Sequence, residues 1–172
     1  MKKIFSLIAI ICVASVQSLF AQSNADVVKS LKLSDATVAQ KVQAILDERS
    51  DSLAQTYADY NKIISATDTM APGRRDHVTT NVTARLNAKL YKKHFQTEVK
   101  LAAYLDDAQI EKVKDGLTYG LMPKYYDDLS KNLSKSEKAS LKAKLRAARE
   151  YALDAPDQAA AQKIFESLII IR

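Results

Sequence analysis

Tyr119, Tyr125 and Tyr126 stand within eight residues of one another, with Lys114 ahead of them and Lys124 between them, in a chain of 172 residues. Aromatic rings can lie on the apolar faces of sugars while ammonium groups pair with carboxylates, so this grouping suits a ligand with flat faces and acidic groups, such as an acidic sugar chain. The competing reading is that tyrosines at a helix junction plug a core and turn their hydroxyls to water. Arg149 and Asp154 are possible neighbours of the junction, either as ligand contacts or as a salt bridge that braces the turn. The candidate ligand-binding set is therefore Lys114, Tyr119, Lys124, Tyr125, Tyr126, Arg149 and Asp154.

Other chemistries find little support. His77 and His94 are seventeen positions apart, and neither forms a His-x-x-x-His or Glu-x-x-His pair, so no metal is expected. There is no glycine-rich phosphate loop and no Gly-x-Ser-x-Gly elbow, and the only cysteine, Cys12, lies near the N-terminus. The pairs Asp106-Asp107 and Asp127-Asp128 are adjacent, which on a helix turns them about a hundred degrees apart and away from a shared bond. No catalytic residue, cofactor or enzymatic activity is expected.

The elements that must position the tyrosines are helices. Asp106 with Gln109 reads as a capping box, with Leu105 placed to staple onto Ile110, and Ile110, Val113 and Leu117 form one apolar face. Gly116 and Gly120 suit a helix end and a bend, and Pro123 suggests a turn before Tyr125. Upstream, Ser34 reads as the cap of a helix of about thirty residues, with a possible soft joint between Arg49 and Asp51. The polar run Asp47-Glu-Arg-Ser-Asp51 reads as a solvated face. Ser65 to Asp76 reads as a loop, and Val78, Val82, Leu86, Leu90, Tyr91 and Phe95 open a second long helix that runs towards Tyr104. Ser134 with Glu137 is a further capping box, leading into Leu141, Leu145, Ala148 and Tyr151, and Ile164 to Ile169 forms a short last helix. Leu168 with Ile169-Ile-Ile171 should pack on the bundle or on a partner. No stretch alternates with period two for long enough to make a sheet, so the fold class is all-α, a helical bundle of four to six helices with short turns.

Met1-Lys-Lys3, the apolar run from Ile4 to Phe20 and the small-residue exit near Ala21 have the form of a secretory signal peptide. The expected organisation is a signal peptide over 1–21 and a single helical domain over 22–172 with one core, exported to the periplasm or secreted. Cleavage after Ala25 is the other option. Taking Lys2 and Lys3 from the 26 basic residues leaves 24 against 20 acidic, a net charge of +4. That is mild, and the basic residues are scattered along helix faces, so nucleic acid is not an expected partner. No later segment is long and apolar enough for a membrane span, and a monomer or weak dimer is expected.

Glu111-Lys-Val-Lys-Asp-Gly-Leu-Thr-Tyr-Gly120 and Ala147-Ala-Arg-Glu-Tyr-Ala-Leu-Asp-Ala155 resemble an exported bacterial family of unknown function that carries a sugar-binding label. Its members accompany secreted polysaccharide-degrading systems. The resemblance spans roughly Leu33 to Ala155 and is sharp only in those two motifs. It implies a polysaccharide or oligosaccharide partner and brings no catalytic residue with it. Family members continue past the Asp-Ala motif into an aromatic and basic segment, whereas this chain continues Pro156-Asp-Gln-Ala-Ala-Ala-Gln162. The alternative is a periplasmic helical chaperone or stress adaptor, since Leu105-Asp-Asp-Ala-Gln109 is similar to the Leu-Thr-x-x-Gln helix start of that group and the glycine-poor, basic helical composition fits it.

Overall fold

Two long helices form the axis of the molecule. The computed structural model describes residues 23–169, and in it α2 (Ala36–Ser65) and α3 (Pro72–Ala102) are each about 45 Å long at the standard helical rise. They run antiparallel, as the cross-pairs Glu48 with Lys100 and Asp59 with Lys89 require. Asp35 caps α2 by accepting from the Thr37 and Val38 amides, one residue later than the Ser34 expected. The helix passes through Arg49 to Asp51 without a break. The loop before α3 is shorter than expected, because Pro72 sits at the first helical position, where its missing N–H costs no bond. Arg75 closes that loop by donating to the Thr67 and Asp68 carbonyls.

Five shorter helices dress this hairpin: α1 (Asn24–Ser30), α4 (Asp107–Leu117), α5 (Leu121–Leu129), α6 (Lys135–Ala152) and α7 (Gln158–Ile169). The all-α class holds, with seven helices among the described residues where four to six were expected. The difference comes from two short helices. Ser23 and Asp26 form a complete capping box for α1. Pro123, expected in a turn, lies in the first turn of α5, where backbone N–H groups have no partner inside the helix. The capping boxes at Asp106 and Ser134 both form.

The buried residues fall into three clusters where one core was expected. Val27 and Leu31 of α1, Val42 and Leu46 of α2, Leu101, Leu105 and Val113 make the first, with Ile110 packed beside Leu105's cluster as the staple requires. Tyr57, Tyr60, Leu86 and Leu90 make the second, further along the hairpin. Leu121, Met122, Leu145, Ala148, Ala152, Ala161 and Phe165 join α5, α6 and α7 in the third, and Leu168 and Ile169 pack against it. Ile170 to Arg172 and the signal-like segment 1–21 lie outside the described residues, as does Gln22.

Two glycines do different work. Gly120 takes φ +66°, and Tyr119 before it takes φ +59°, so the chain reverses between α4 and α5 through two successive left-handed residues. Gly116 lies inside α4, and a Cβ there would meet Val27 Cγ2 at 2.8 Å. Its lack of a side chain lets α1 approach α4. On α3, Tyr91 and Phe95 are not on the packed face: they are 75% and 60% exposed. The packed face runs through Leu86, Leu90, His94, Thr97 and Leu101, and the two aromatic residues follow Leu90 and His94 by one position, about 100° further round the helix.

Candidate functional site

Each of the helices α2, α3, α4 and α6 places a charged residue in or beside the register of its apolar stripe. In α2, Arg49 fills the gap between Leu46 and Leu53, and in α3, His94 follows Leu90 by four. In α4, Lys114 follows Ile110 by four, and in α6, Arg149 follows Leu145 by four. These positions lie where the apolar clusters leave off, so the charges meet one another there. Arg149 is only 1% exposed, and its guanidinium reaches Glu111 and Asp115 at 2.7 Å each and Glu150 at 3.4 Å. Burial would lower its pKa, but the hydrogen bonds to Glu111 and Asp115 carry it above the ordinary value. Lys114 pairs with Glu98 and, at 2.9 Å, with Glu150.

His94 stands at the centre of this layer. Its Nδ1 faces Asp154 at 3.6 Å, and its Nε2 faces Glu150 at 3.5 Å and Glu98 at 3.8 Å. Asp154, then Glu150, hold the proton on the ring against the cost of burial and raise its pKa from 6.5 to about 9. Burial alone would raise the Glu150 carboxyl, yet His94 and Lys114 take it down to about 2. The ligand atoms of His94, Glu98 and Glu150 lie within 4.8 Å of one another, a grouping that could hold a metal ion. Lys114 already sits on both of those carboxylates and the imidazole keeps its proton, so the protein's own cations balance the group.

The end of α6 is tied to α2. Arg49 donates to the Leu153 carbonyl and lies 3.8 Å from the Asp154 carboxylate, while the Tyr57 hydroxyl donates to the Asp154 carbonyl at 2.7 Å. A helix C-terminus has carbonyls without intrahelical partners, and a guanidinium there also suits the helix dipole. Burial lowers the Arg49 pKa, opposed by Asp154 first.

This layer opens to solvent in a shallow cleft between α2 and α3. Ile45 and Leu53 supply its apolar wall; Arg49, Ser52, Lys93, His94, Gln96 and Thr97 supply polar groups; Asp154 and the Glu48–Lys100 pair, at 2.6 Å, complete its lining. The Ser52 hydroxyl is buried and has no hydrogen-bond partner.

The residues singled out in the sequence divide between two regions. Lys114, Arg149 and Asp154 belong to the ionic layer, where Arg149 of one motif binds Glu111 and Asp115 of the other. The brace is distributed: Arg149 pairs with Glu111, Asp115 and Glu150, and Asp154 with His94 and Arg49. Tyr125 stacks on Phe165 with centroids 5.7 Å apart and its hydroxyl donates to Glu166 at 3.3 Å, while Tyr126 packs partly buried against the same cluster. Lys124 is exposed. Tyr119 lies between the regions, packed on the third cluster; burial and then Asp157 raise its hydroxyl pKa, and Arg49 opposes them. Arg49, expected on a solvated face, is instead mostly buried against the end of α6 because it fills an apolar gap in its helix, and His94, Glu98 and Glu150 are outside the candidate set although His94-x-x-x-Glu98 is one-turn spacing.

Fold and site define a class: an all-α protein whose apolar clusters meet at a shared layer of charge with an open polar cleft. The chain belongs to the family described as a protein of unknown function (DUF3826), whose sequence profile matches residues 17–168. No curated protein matches it.

Proposed function

We propose that this is an exported carbohydrate-binding protein and that the cleft between α2 and α3 holds the sugar. The observation that carries the reading is the lining itself, where the apolar wall of Ile45 and Leu53 faces amide, hydroxyl and cationic donors and the Ser52 hydroxyl has no partner. Sugar rings offer that same alternation of C–H faces and hydroxyl edges, and a few fixed polar groups set ligand orientation. Asp154 contributes directly; Lys114 and Arg149 act as positioning residues through Glu150, and Tyr119 is coupled to the cleft through Arg49. Calorimetric titration with a panel of neutral and acidic oligosaccharides tests this, alongside a Gln96→Ala variant. The reading requires a panel member that binds the wild type and binds the variant more weakly at unchanged thermal stability. Undiminished binding by the variant, or silence across the panel, counts against it. The half-buried junction of Tyr119, Tyr125 and Tyr126 with Lys124 is the competing sugar position.

The exposed stripe of Tyr91, Phe95 and Val99 favours a second reading, a helical chaperone or adaptor that holds apolar segments of other proteins. Suppression of aggregation of an unfolded client, lost in a Tyr91→Ser/Phe95→Ser variant, would support it.

A further inference from the structure

We infer that the sugar held in this cleft is an acidic one, a uronate whose carboxylate is received by Arg49 and Lys93. The inference rests on the carbohydrate reading above and adds the ligand's charge. Four cationic side chains line the cleft, Arg49, Lys93, His94 and Lys100, against two carboxylates, Glu48 and Asp154. Lys100 is matched by Glu48, Arg49 by Asp154, and His94 by Asp154 together with Glu150 and Glu98. Lys93 is the one cation of the four with no ion pair among the described residues, so the positive charge free to meet a ligand on this face is that of Lys93.

Arg49 has donors to spare. A guanidinium carries five N–H groups in a planar fork; Arg49 gives one bond to the Leu153 carbonyl, and Asp154 lies at 3.8 Å, beyond hydrogen-bond distance. A planar carboxylate suits such a fork, and a charge-assisted bond is roughly twice as strong as a neutral one. Shallow depth sets the fit: the cleft takes a substituent that projects from a sugar ring, with the ring lying across its mouth and its C–H face towards Ile45 and Leu53. A uronate projects its carboxylate in that way.

The test is calorimetry on residues 22–172 with a trigalacturonide, its methyl ester and succinate, at low and moderate salt. The acid should bind about tenfold more tightly than the ester, with the margin shrinking as salt screens the charge. Lys93→Glu should abolish that margin at unchanged melting temperature. Equal affinity for acid and ester overturns the inference and leaves the carbohydrate reading standing, as does a margin that survives in Lys93→Glu. Succinate binding as tightly as the acid shows a carboxylate site with no use for the sugar and overturns it too. Binding by neither sugar overturns the inference, while the carbohydrate reading stands or falls on the wider panel of neutral and acidic oligosaccharides.

Discussion

His94 receives carboxylates from its own helix and from α6 and its exit turn, with Lys114 of α4 and Arg49 of α2 as the nearby cations. The native ring holds its proton up to about pH 9 and the unfolded ring releases it near 6.5. Its contribution to stability is therefore full below pH 6.5 and lost as pH rises through 9. Glu150 has the opposite sign, contributing fully above 4.5 and losing that contribution as pH falls towards 2. Unfolding free energies measured from pH 6 to 10 should decline, and the decline should flatten in His94→Gln; an unchanged slope in that variant would show that the ring is not the group responsible. Arg149 is sealed, so Arg149→Met should lower stability by roughly 3 kcal/mol, towards the low end for broken buried pairs because its three carboxylate partners each keep about a third of their surface in water. Denaturant titration measures this, and a loss under about 1 kcal/mol would mean the partners resolvate freely. His94 stands out in the sequence only when its spacing is counted to Glu98 instead of to the other histidine. Arg149 is among the candidates read from the sequence, but its burial is legible only when it is seen to continue the stripe of Leu145.

The helix starts at Asp106 and Ser134 are legible because a capping box is local chemistry, complete within four residues. Helix faces are less so. An apolar residue reports a buried face only if a neighbour covers it, and α3 leaves Tyr91, Phe95 and Val99 uncovered while burying His94 more deeply. Tyr91→Ala and Phe95→Ala should each change stability by no more than about 0.5 kcal/mol, whereas Leu90→Ala should cost about 2–5 kcal/mol. Thermal melts of the three variants check this, and large losses at the aromatic positions would place those rings in an interface. Gly116 marks a helix contact where its sequence position suggested a bend. In Gly116→Ala the new methyl meets the stiff, fully buried Val27, so the variant should be destabilised by about 1–3 kcal/mol despite a gain of up to about 1 kcal/mol in helix propensity. A double-mutant cycle with Val27→Ala should show the two sites coupled; additive losses would contradict the contact.

Across the whole molecule, the parts that were hardest to read are those joining residues distant in the chain. Arg49 and the carbonyl that it binds are 104 positions apart, and Lys114 and Glu150 are 36 apart. No periodicity or cap encodes such pairs, so the all-α class was legible while the charged layer and its cleft were not. The sequence did bring forward two of the right segments, since its two family-like motifs touch through Arg149, Glu111 and Asp115. The central claim is that ligand is held between α2 and α3 at that layer. Its most direct test is a backbone-amide NMR titration of residues 22–172 with the tightest oligosaccharide found. Perturbations concentrated at Arg49 to Leu53, Lys93 to Thr97 and Asp154 are the predicted result; shifts confined to Tyr119 to Tyr126, or to the Tyr91, Phe95 and Val99 face, would contradict it.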